Sequence, residues 1–307
     1  MNSNSMVAGR EIDLAACVAI LLNHKWKIVI FSSLVAMLAA IGTLFIENTY
    51  RSVTVLKQVK SDGELSGLQS MASQFGGLAS LAGINLQESE DDSTLSLSIL
   101  KTRQFVLEFI NENDLAIPLI AGKAWSWEKR SFIIDEDLYK NGEWRIESND
   151  GSFREPNQTE LFDAFNDIFS VNQDVETGLI KLSIESYSPS LAAVWLSLIV
   201  DKINLVMKEN ALKESEAKIA YLEEKIRNTD LSSIKSVFSQ LIENELQRKM
   251  LLDTKEQYVL KTIDPPYIPD EKFKPLRAVI VILIFVGAVI LSSVVVLYRY
   301  SPKNTSA

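Results

Sequence analysis

Cysteine and histidine are almost missing: the 307-residue chain has Cys17 and His24 and no others. A lone thiol closes no disulfide within the chain. A lone imidazole leaves no Ser-His-Asp or Cys-His set and no histidine metal site. Glycine is sparse, and no Lys-Ser/Thr follows Gly76, Gly77 and Gly83 of "SQFGGLASLAGINL", as a phosphate cradle requires. An excess of positive charge is lacking too: the net charge is −9, which argues against nucleic acid. Carboxylates are plentiful, but nothing in the spacing of Glu90-Asp91-Asp92 or Asp135-Glu136-Asp137 marks a glycosidase pair, and both clusters read as solvated surface. These absences leave no catalytic residue, cofactor site or metal site to name. They point to a scaffold rather than an enzyme.

What is present is apolar sequence concentrated near the two ends. Ile28 to Ile46 and Ala278 to Leu297 carry no charged residue, and each spans roughly 30 Å as a helix, the thickness of a bilayer's hydrocarbon core. Two transmembrane helices are expected at 28–46 and 278–297. The leader before the first is long, carries Glu11 and Asp13 and leads to no A-x-A site, so a retained helix is expected rather than a cleaved signal. Lys25, Trp26 and Lys27 abut the first run as a basic and aromatic membrane anchor. The tails, 1–27 and 298–307, hold five basic and two acidic residues; of the chain's 31 and 40, the stretch between keeps 26 and 38. Both tails are therefore read as cytoplasmic and the middle, 47–277, as exported. Within the leader, Ile12 to Leu22 is apolar but too short to span, which suits an interfacial helix.

The middle reads as an α/β or α+β domain. "TYRSVTVLKQV" (Thr49 to Val59) is β-branched and alternating, as is "GLIKLSIESYSP" (Gly178 to Pro189), and both read as strands. "RSFIID" and "EWRIES" read as short strands around Asn141-Gly142, a hairpin turn pair. Residues 61–92 hold six acidic residues and no lysine or arginine, and read as a loop or a loosely packed helix. Ser93 to Leu115 and Thr159 to Phe169 read as capped amphipathic helices. After Pro189 a long helix is expected over about 190–228, on the order of 60 Å if continuous, because Leu191, Leu198, Leu205, Leu212, Ile219 and Ile226 recur every seven residues. The companion line Val194, Asp201, Lys208, Ser215, Leu222, Thr229 is polar through its centre, unlike a simple two-stranded coiled coil. The stripe Leu205, Leu212, Ile219, Ile226 is therefore the candidate contact with a neighbouring subunit. A second helix, about 231–258, leads back toward the membrane.

Four of the eight prolines, Pro265, Pro266, Pro269 and Pro275, crowd into the stretch before the second apolar run. Proline fixes φ near −65° and biases its predecessor to extended geometry. Within the proline-rich segment 265–275, "PPYIP" (Pro265 to Pro269) should be a semi-rigid strut holding the exported domain at a set angle over the membrane helices; a plain helix stop before the membrane is the alternative.

The arrangement resembles the Wzz-type polysaccharide co-polymerases, or chain-length determinants. The likeness rests on Ile12-Asp13-Leu14 and Lys25-Trp26, on the two apolar runs around an α/β domain with a long helix, and on the proline segment. In that segment Pro266-Tyr267-Ile268-Pro269 and Pro275-Leu276-Arg277 follow the family's "P-x-x-P…P-K/R", with Leu276 intervening before the basic residue. The family often has several glycines in its second membrane helix, whereas this chain has Gly287 there. The resemblance implies an inner-membrane homo-oligomer with a periplasmic domain. It would act beside an O-antigen polymerase on lipid-linked polysaccharide, among membrane lipids and without nucleic acid, to set lipopolysaccharide chain length. A capsule or exopolysaccharide co-polymerase is the near alternative; a two-helix periplasmic ligand sensor is the alternative of another class.

Overall fold

A computed structural model describes residues 21–59, 92–148 and 150–300. The interfacial helix expected at 12–22 falls almost wholly outside the described residues, as does the glycine-containing acidic stretch. The chain divides into two compact units, 1–48 with 273–307, and 49–272.

The first unit is a pair of apolar helices, α1 (Lys25–Leu44) and the last helix, Arg277–Tyr300, packed on each other. Both expose most of their large apolar side chains, among them Phe31, Leu34, Leu38, Leu283, Leu291 and Val295. That surface is costly in water and favourable in hydrocarbon. The hydroxyls of Ser32 and Ser292, both buried, face each other at 3.5 Å between the helices. A Cβ at Gly287 would meet nothing within 4 Å, so the pair does not close on that glycine.

The second unit begins with β1 (Tyr50–Gln58). The expected helix at 93–115 is two helices, α2 (Asp92–Ile99) and α3 (Arg103–Glu112). The break has a local cause: Thr102 is extended and its hydroxyl caps the Phe105 N–H, which starts a new helix where periodicity alone continues the old one. A short α4 (Ala116–Ile120) and the hairpin β2 (Gly122–Ser126) with β3 (Ser131–Ile134) follow. Then come two minimal hairpins, β4 (Tyr139–Lys140) with β5 (Glu143–Trp144) and β6 (Ile146–Glu147) with β7 (Phe153–Arg154). The strand expected from "EWRIES" is thus split at Arg145, its halves paired with different partners. Asn141 and Gly142 take φ of 56° and 87°, as a turn with both central residues at positive φ requires.

Helix α5 (Gln158–Ile168) starts one residue before the expected Thr159, because Asn157 is the cap. Its side chain accepts from the Thr159 and Glu160 N–H while Glu160 accepts from the Asn157 N–H. Strands β8 (Phe169–Gln173) and β9 (Leu179–Ser186) precede the long α6 (Pro189–Arg227), with proline in its first turn and Ser188 as cap. Helix α7 (Ser232–Thr254) folds back on α6. It ends before the expected residue 258, because the chain turns into β10 (Leu260–Asp264); the last helix of the chain is α8 (Arg277–Tyr300).

The main sheet runs β10-β1-β9-β8 and is antiparallel throughout. One face, carrying Leu56, Ile180, Leu182 and Ile184, packs against α6 through Leu196, Ile199 and Ile203, all essentially inaccessible. Phe109 of α3 and Phe165 of α5 extend that core, with ring centroids 5.8 Å apart and edge to face. Burying each such side chain contributes roughly 1.5–3 kcal/mol. This explains how α6 can be long and apolar enough to cross a membrane, as α1 and α8 are, and still be a core helix: half of its apolar window is inside the domain.

Candidate functional site

The proline segment, the stripe on α6 and the anchor residues Lys25, Trp26 and Lys27 at the start of α1 were the candidate sites, and each has a definite place in the structure. Pro265 and Pro266 directly follow β10, which runs antiparallel to β1. Proline has no N–H to donate to a ladder, so the pairing with β1 stops being a backbone ladder there. Side chains take over. The Thr54 hydroxyl donates to the Asp264 carbonyl at 2.7 Å, and the Ser52 hydroxyl to the Tyr267 carbonyl at 2.7 Å. Both hydroxyl residues are fully buried. Pro269 is buried as well. The stretch 265–269 is therefore extended and fastened along β1. Ser52 and Thr54 were missed in the sequence, where they were simply part of an alternating strand; their signal is two hydroxyls at alternate positions of what proves to be the core face.

Pro275 and Arg277 belong to the helix-pair unit. Lys274-Pro275 is a cis peptide, and the Arg277 N–H donates to the Pro275 carbonyl at 2.9 Å. The Arg277 guanidinium donates to the Ile46 carbonyl and the Asn48 side chain, each at 3.2 Å, joining the start of α8 to the chain just beyond α1. At the other end of α1, Lys25, Trp26 and Lys27 form its first turn; all three are exposed, and Trp26 keeps 71% of its surface. An indole and two ammonium groups at one end of an apolar helix match an interfacial anchor.

The stripe on α6 divides. Leu205 is 56% exposed, whereas Leu212, Ile219 and Ile226 are half-buried. The buried line of the outer half runs through Met207, Ala211, Ser215 and Leu222, and α7 covers it with Phe238 and Leu252. The polar companion line is thus partly a buried one: Ser215 fits because a small side chain lets α6 and α7 approach. Ion pairs of Lys249 with Glu216 at 2.6 Å and of Lys218 with Glu214 decorate the hairpin.

A second buried polar residue was also missed. Asn204 lies in the apolar face of α6 and is 3% exposed. Its amide donates to the Val200 and Leu260 carbonyls, both at 3.0 Å, and accepts from the Val259 and Leu260 N–H, both at 3.1 Å. Every hydrogen-bonding position of the side chain is filled, so the helix holds β10 as a neighbouring strand would. An asparagine between Ile203 and Leu205 is the sequence signal.

Between α3 and α6 lies an open cleft of about 500 Å³, floored by Leu198, Leu205 and Val206 and flanked by Glu108, Glu112, Asp201 and Glu209. Lys202 reaches into it, 2.6 Å from Glu112 and 3.9 Å from Glu108, over the ring of Phe105. Leu205 is the one member of the stripe that the cleft includes.

Titration behaviour is structural in character. Glu160 is held down to about 2, first by the two hydrogen bonds from Arg154 and then by the Asn157 N–H. Asp174 is lowered by the Thr177 and Glu176 N–H groups of its turn. Among the described residues no group of three or more His, Cys, Asp or Glu is placed to hold a metal.

Residues 10–113 match the family model Wzz, chain length determinant protein. Among solved structures, the chain is similar to a full-length bacterial polysaccharide co-polymerase at 16% identity, covering 96% of this chain and 100% of that one, with a TM-score of 0.38. It is also similar to a fragment of WzzB, a polysaccharide co-polymerase from Salmonella Typhimurium, at 10% identity, covering 74% of this chain and 100% of that one, with a TM-score of 0.33. No curated protein matches. The family match takes in the leader, α1, β1, α2 and α3, the region that holds Ile12-Asp13-Leu14 and Lys25-Trp26. The match to the chain length determinant model is confined to that region, about a third of the chain.

Proposed function

We propose that the protein is a non-catalytic, homo-oligomeric scaffold of the inner membrane that sets O-antigen chain length on lipopolysaccharide. In this reading α1 and α8 are the two spans, both termini are cytoplasmic and residues 47–277 are periplasmic. The partners are the O-antigen polymerase, the lipid-linked polysaccharide it extends, and the membrane lipids around the spans. The observation that carries the reading is the family match over residues 10–113. Three features support it: two exposed apolar helices at the chain's ends, a domain in which the described polar clusters serve caps and ion pairs, and a proline segment fastened to β1. Fastening suits a fixed part of a scaffold better than a loose tether.

The test is a deletion of the gene followed by separation of cellular lipopolysaccharide on a silver-stained gel. Loss of the preferred length from the ladder, restored by the gene in trans, supports the O-antigen assignment. An unchanged ladder with altered capsule or exopolysaccharide size moves the protein to those systems. An unchanged ladder with unchanged capsule and exopolysaccharide refutes the reading.

A further inference from the structure

The two broad faces of the periplasmic unit carry opposite charge. On α6, at roughly 100° per residue, the cleft residues Leu198, Asp201, Lys202, Leu205 and Glu209 lie about opposite the residues packed on the sheet, such as Leu196, Val200 and Met207. The cleft therefore opens on the side of the domain away from the sheet. It sets four carboxylates around one ammonium, and its apolar floor is open, Leu198 at 37% and Leu205 at 56% exposure.

The sheet's outer face is the counterpart. Side chains alternate along β1, so Leu56 and Thr54 point to the core while Lys57 and Val55 point out. Lys57 pairs directly with Lys261 of β10, and Lys181 of β9 stands opposite Val55, one step diagonal from Lys57. All three lysines are exposed, and none lies within an ion-pair distance of a carboxylate among the described residues. Asp264, opposite Val55, lies on this face, and Asp174 feels Lys181 while accepting from the N–H groups of its own turn. Like charges directly across an antiparallel pair are destabilising, so a Lys57–Lys261 pair asks for an anionic partner. Ile263, 54% exposed on the edge strand β10 beside the row, adds apolar surface.

We propose that the acidic cleft of one copy receives the lysine row of a second copy. This rests on the homo-oligomer reading above and specifies its contact. The occupant is argued from complementarity: carboxylates around exposed leucines on one face, ammonium groups beside half-buried Val55 and exposed Ile263 on the other. Two different patches on opposite faces make a heterologous, head-to-tail contact, which repeats from copy to copy and closes into a ring or extends as a filament. It also gives Leu205, the exposed member of the α6 stripe, a site to bury against.

The experiment uses the full chain in detergent, sized by mass photometry and blue-native gels. Reversing the cleft (Glu108→Lys with Glu112→Lys) or the row (Lys57→Glu with Lys261→Glu) should each reduce the full-sized complex by about tenfold or more at low salt. Combining both reversals should restore most of it. The wild-type complex should also weaken as salt shortens the Debye length from about 10 to about 3 Å. Full-sized complexes from either reversal overturn the contact, as does a combined variant no better than the worse single one. A second measurement stands if the charge variants fold poorly. In a Cys17→Ser background, copies carrying Glu209→Cys are mixed with differently tagged copies carrying Lys261→Cys and treated with a short bismaleimide. A cross-link between the two tags supports the contact, and its absence overturns it. A wild-type chain that is monomeric sinks the homo-oligomer reading itself; an oligomeric wild type with indifferent reversals sinks only this contact. Retained assembly with lost binding of an anionic polysaccharide by the row variant assigns that face to glycan and refutes the docking.

Discussion

Asn204→Leu isolates the polar tie between α6 and β10. Leucine has the same branched side-chain skeleton as asparagine and suits a helix, so the substitution removes the hydrogen bonds while putting bulkier methyl groups where the amide atoms stood. It leaves the Val259 and Leu260 N–H groups without the oxygen they share and the Leu260 carbonyl without the Asn204 amide. All three lie in a region where Val259 and Leu260 are at most 2% exposed, so water does not replace the lost partner. An orphaned buried group costs about 1–3 kcal/mol, which for two N–H donors comes to roughly 2–6 kcal/mol. The added apolar burial returns about 1 kcal/mol, leaving a net loss of about 3 kcal/mol. For a domain of this size that lowers Tm by roughly 6–12 °C. Tryptophan fluorescence during thermal unfolding of the full chain in detergent reads it, with Trp195 in the same core as a native probe. Asn204→Asp supplies the control. It keeps an acceptor for both N–H groups but buries a charge, and burial raises a carboxyl's pKa. Its penalty should be full at high pH and shrink as pH falls through that raised value, because the neutral acid can donate to Leu260 again. A Tm within about 1 °C of wild type for Asn204→Leu, under half a kcal/mol, would refute the tie as a stabilising element.

Other outcomes follow from the same geometry. Ser52→Ala with Thr54→Val removes the hydroxyl donors to the Tyr267 and Asp264 carbonyls; about 1–3 kcal/mol should be lost and the sugar-chain distribution should broaden on silver-stained gels, and an unchanged ladder at normal protein level would show that the fastening is dispensable. Leu205→Glu should lower oligomer size without lowering Tm, because the side chain is exposed in the monomer, whereas Leu212→Glu, packed against the core, should lower both; equal Tm losses would place Leu205 inside the fold. Glu160 has its carboxyl depressed from 4.5 to about 2, so its contribution is complete above pH 4.5 and disappears as pH falls toward 2. Glu160→Gln should therefore reduce stability at pH 6 and converge with wild type near pH 2, as followed by circular dichroism. Enzymatic reporters fused after Thr94 and after Lys303 should report opposite sides of the inner membrane, and matching signals would refute the two-span arrangement.

How much of this was legible depends on the range of the forces involved. Both apolar helices, β1, β9, the Asn141-Gly142 turn and the start of α6 at Pro189 come from signals within a few residues: unbroken hydrophobicity, alternation, positive φ and a helix-start proline. The break at Thr102 and the cap at Asn157 were local too, but needed the side-chain bond rather than the period. The rest was not local. "YVLKTID" follows directly on the expected helix and reads as its end until β1 is known to lie beside it, because the antiparallel pairing joins residues about two hundred apart and no periodicity within the stretch announces it. Ser215 stood on the polar companion line of the long helix, and Asn204 had no role in the sequence reading. One proves to be a small residue between two helices, the other an amide that completes a strand.

The same reasoning explains why the proline segment could be found and its anchor could not. Prolines announce what a backbone is unable to do: they remove N–H donors and forbid helix. They do not say what takes the place of those donors. That depends on the neighbour, and here the neighbour is β1, whose core face carries serine and threonine at the two positions that reach the segment and leucine at the next. Leucine at position 56 meets the core; leucine at 52 or 54 would give better burial and no hydrogen bond to the segment. The choice of hydroxyls over aliphatics at two fully buried positions forgoes about 1–2 kcal/mol of apolar burial at each, a sacrifice with a counterpart only if the carbonyls of Asp264 and Tyr267 are held. The composition of β1 therefore carries information about the proline segment more than two hundred residues away, and fastening that segment to the sheet is the physical reason for it.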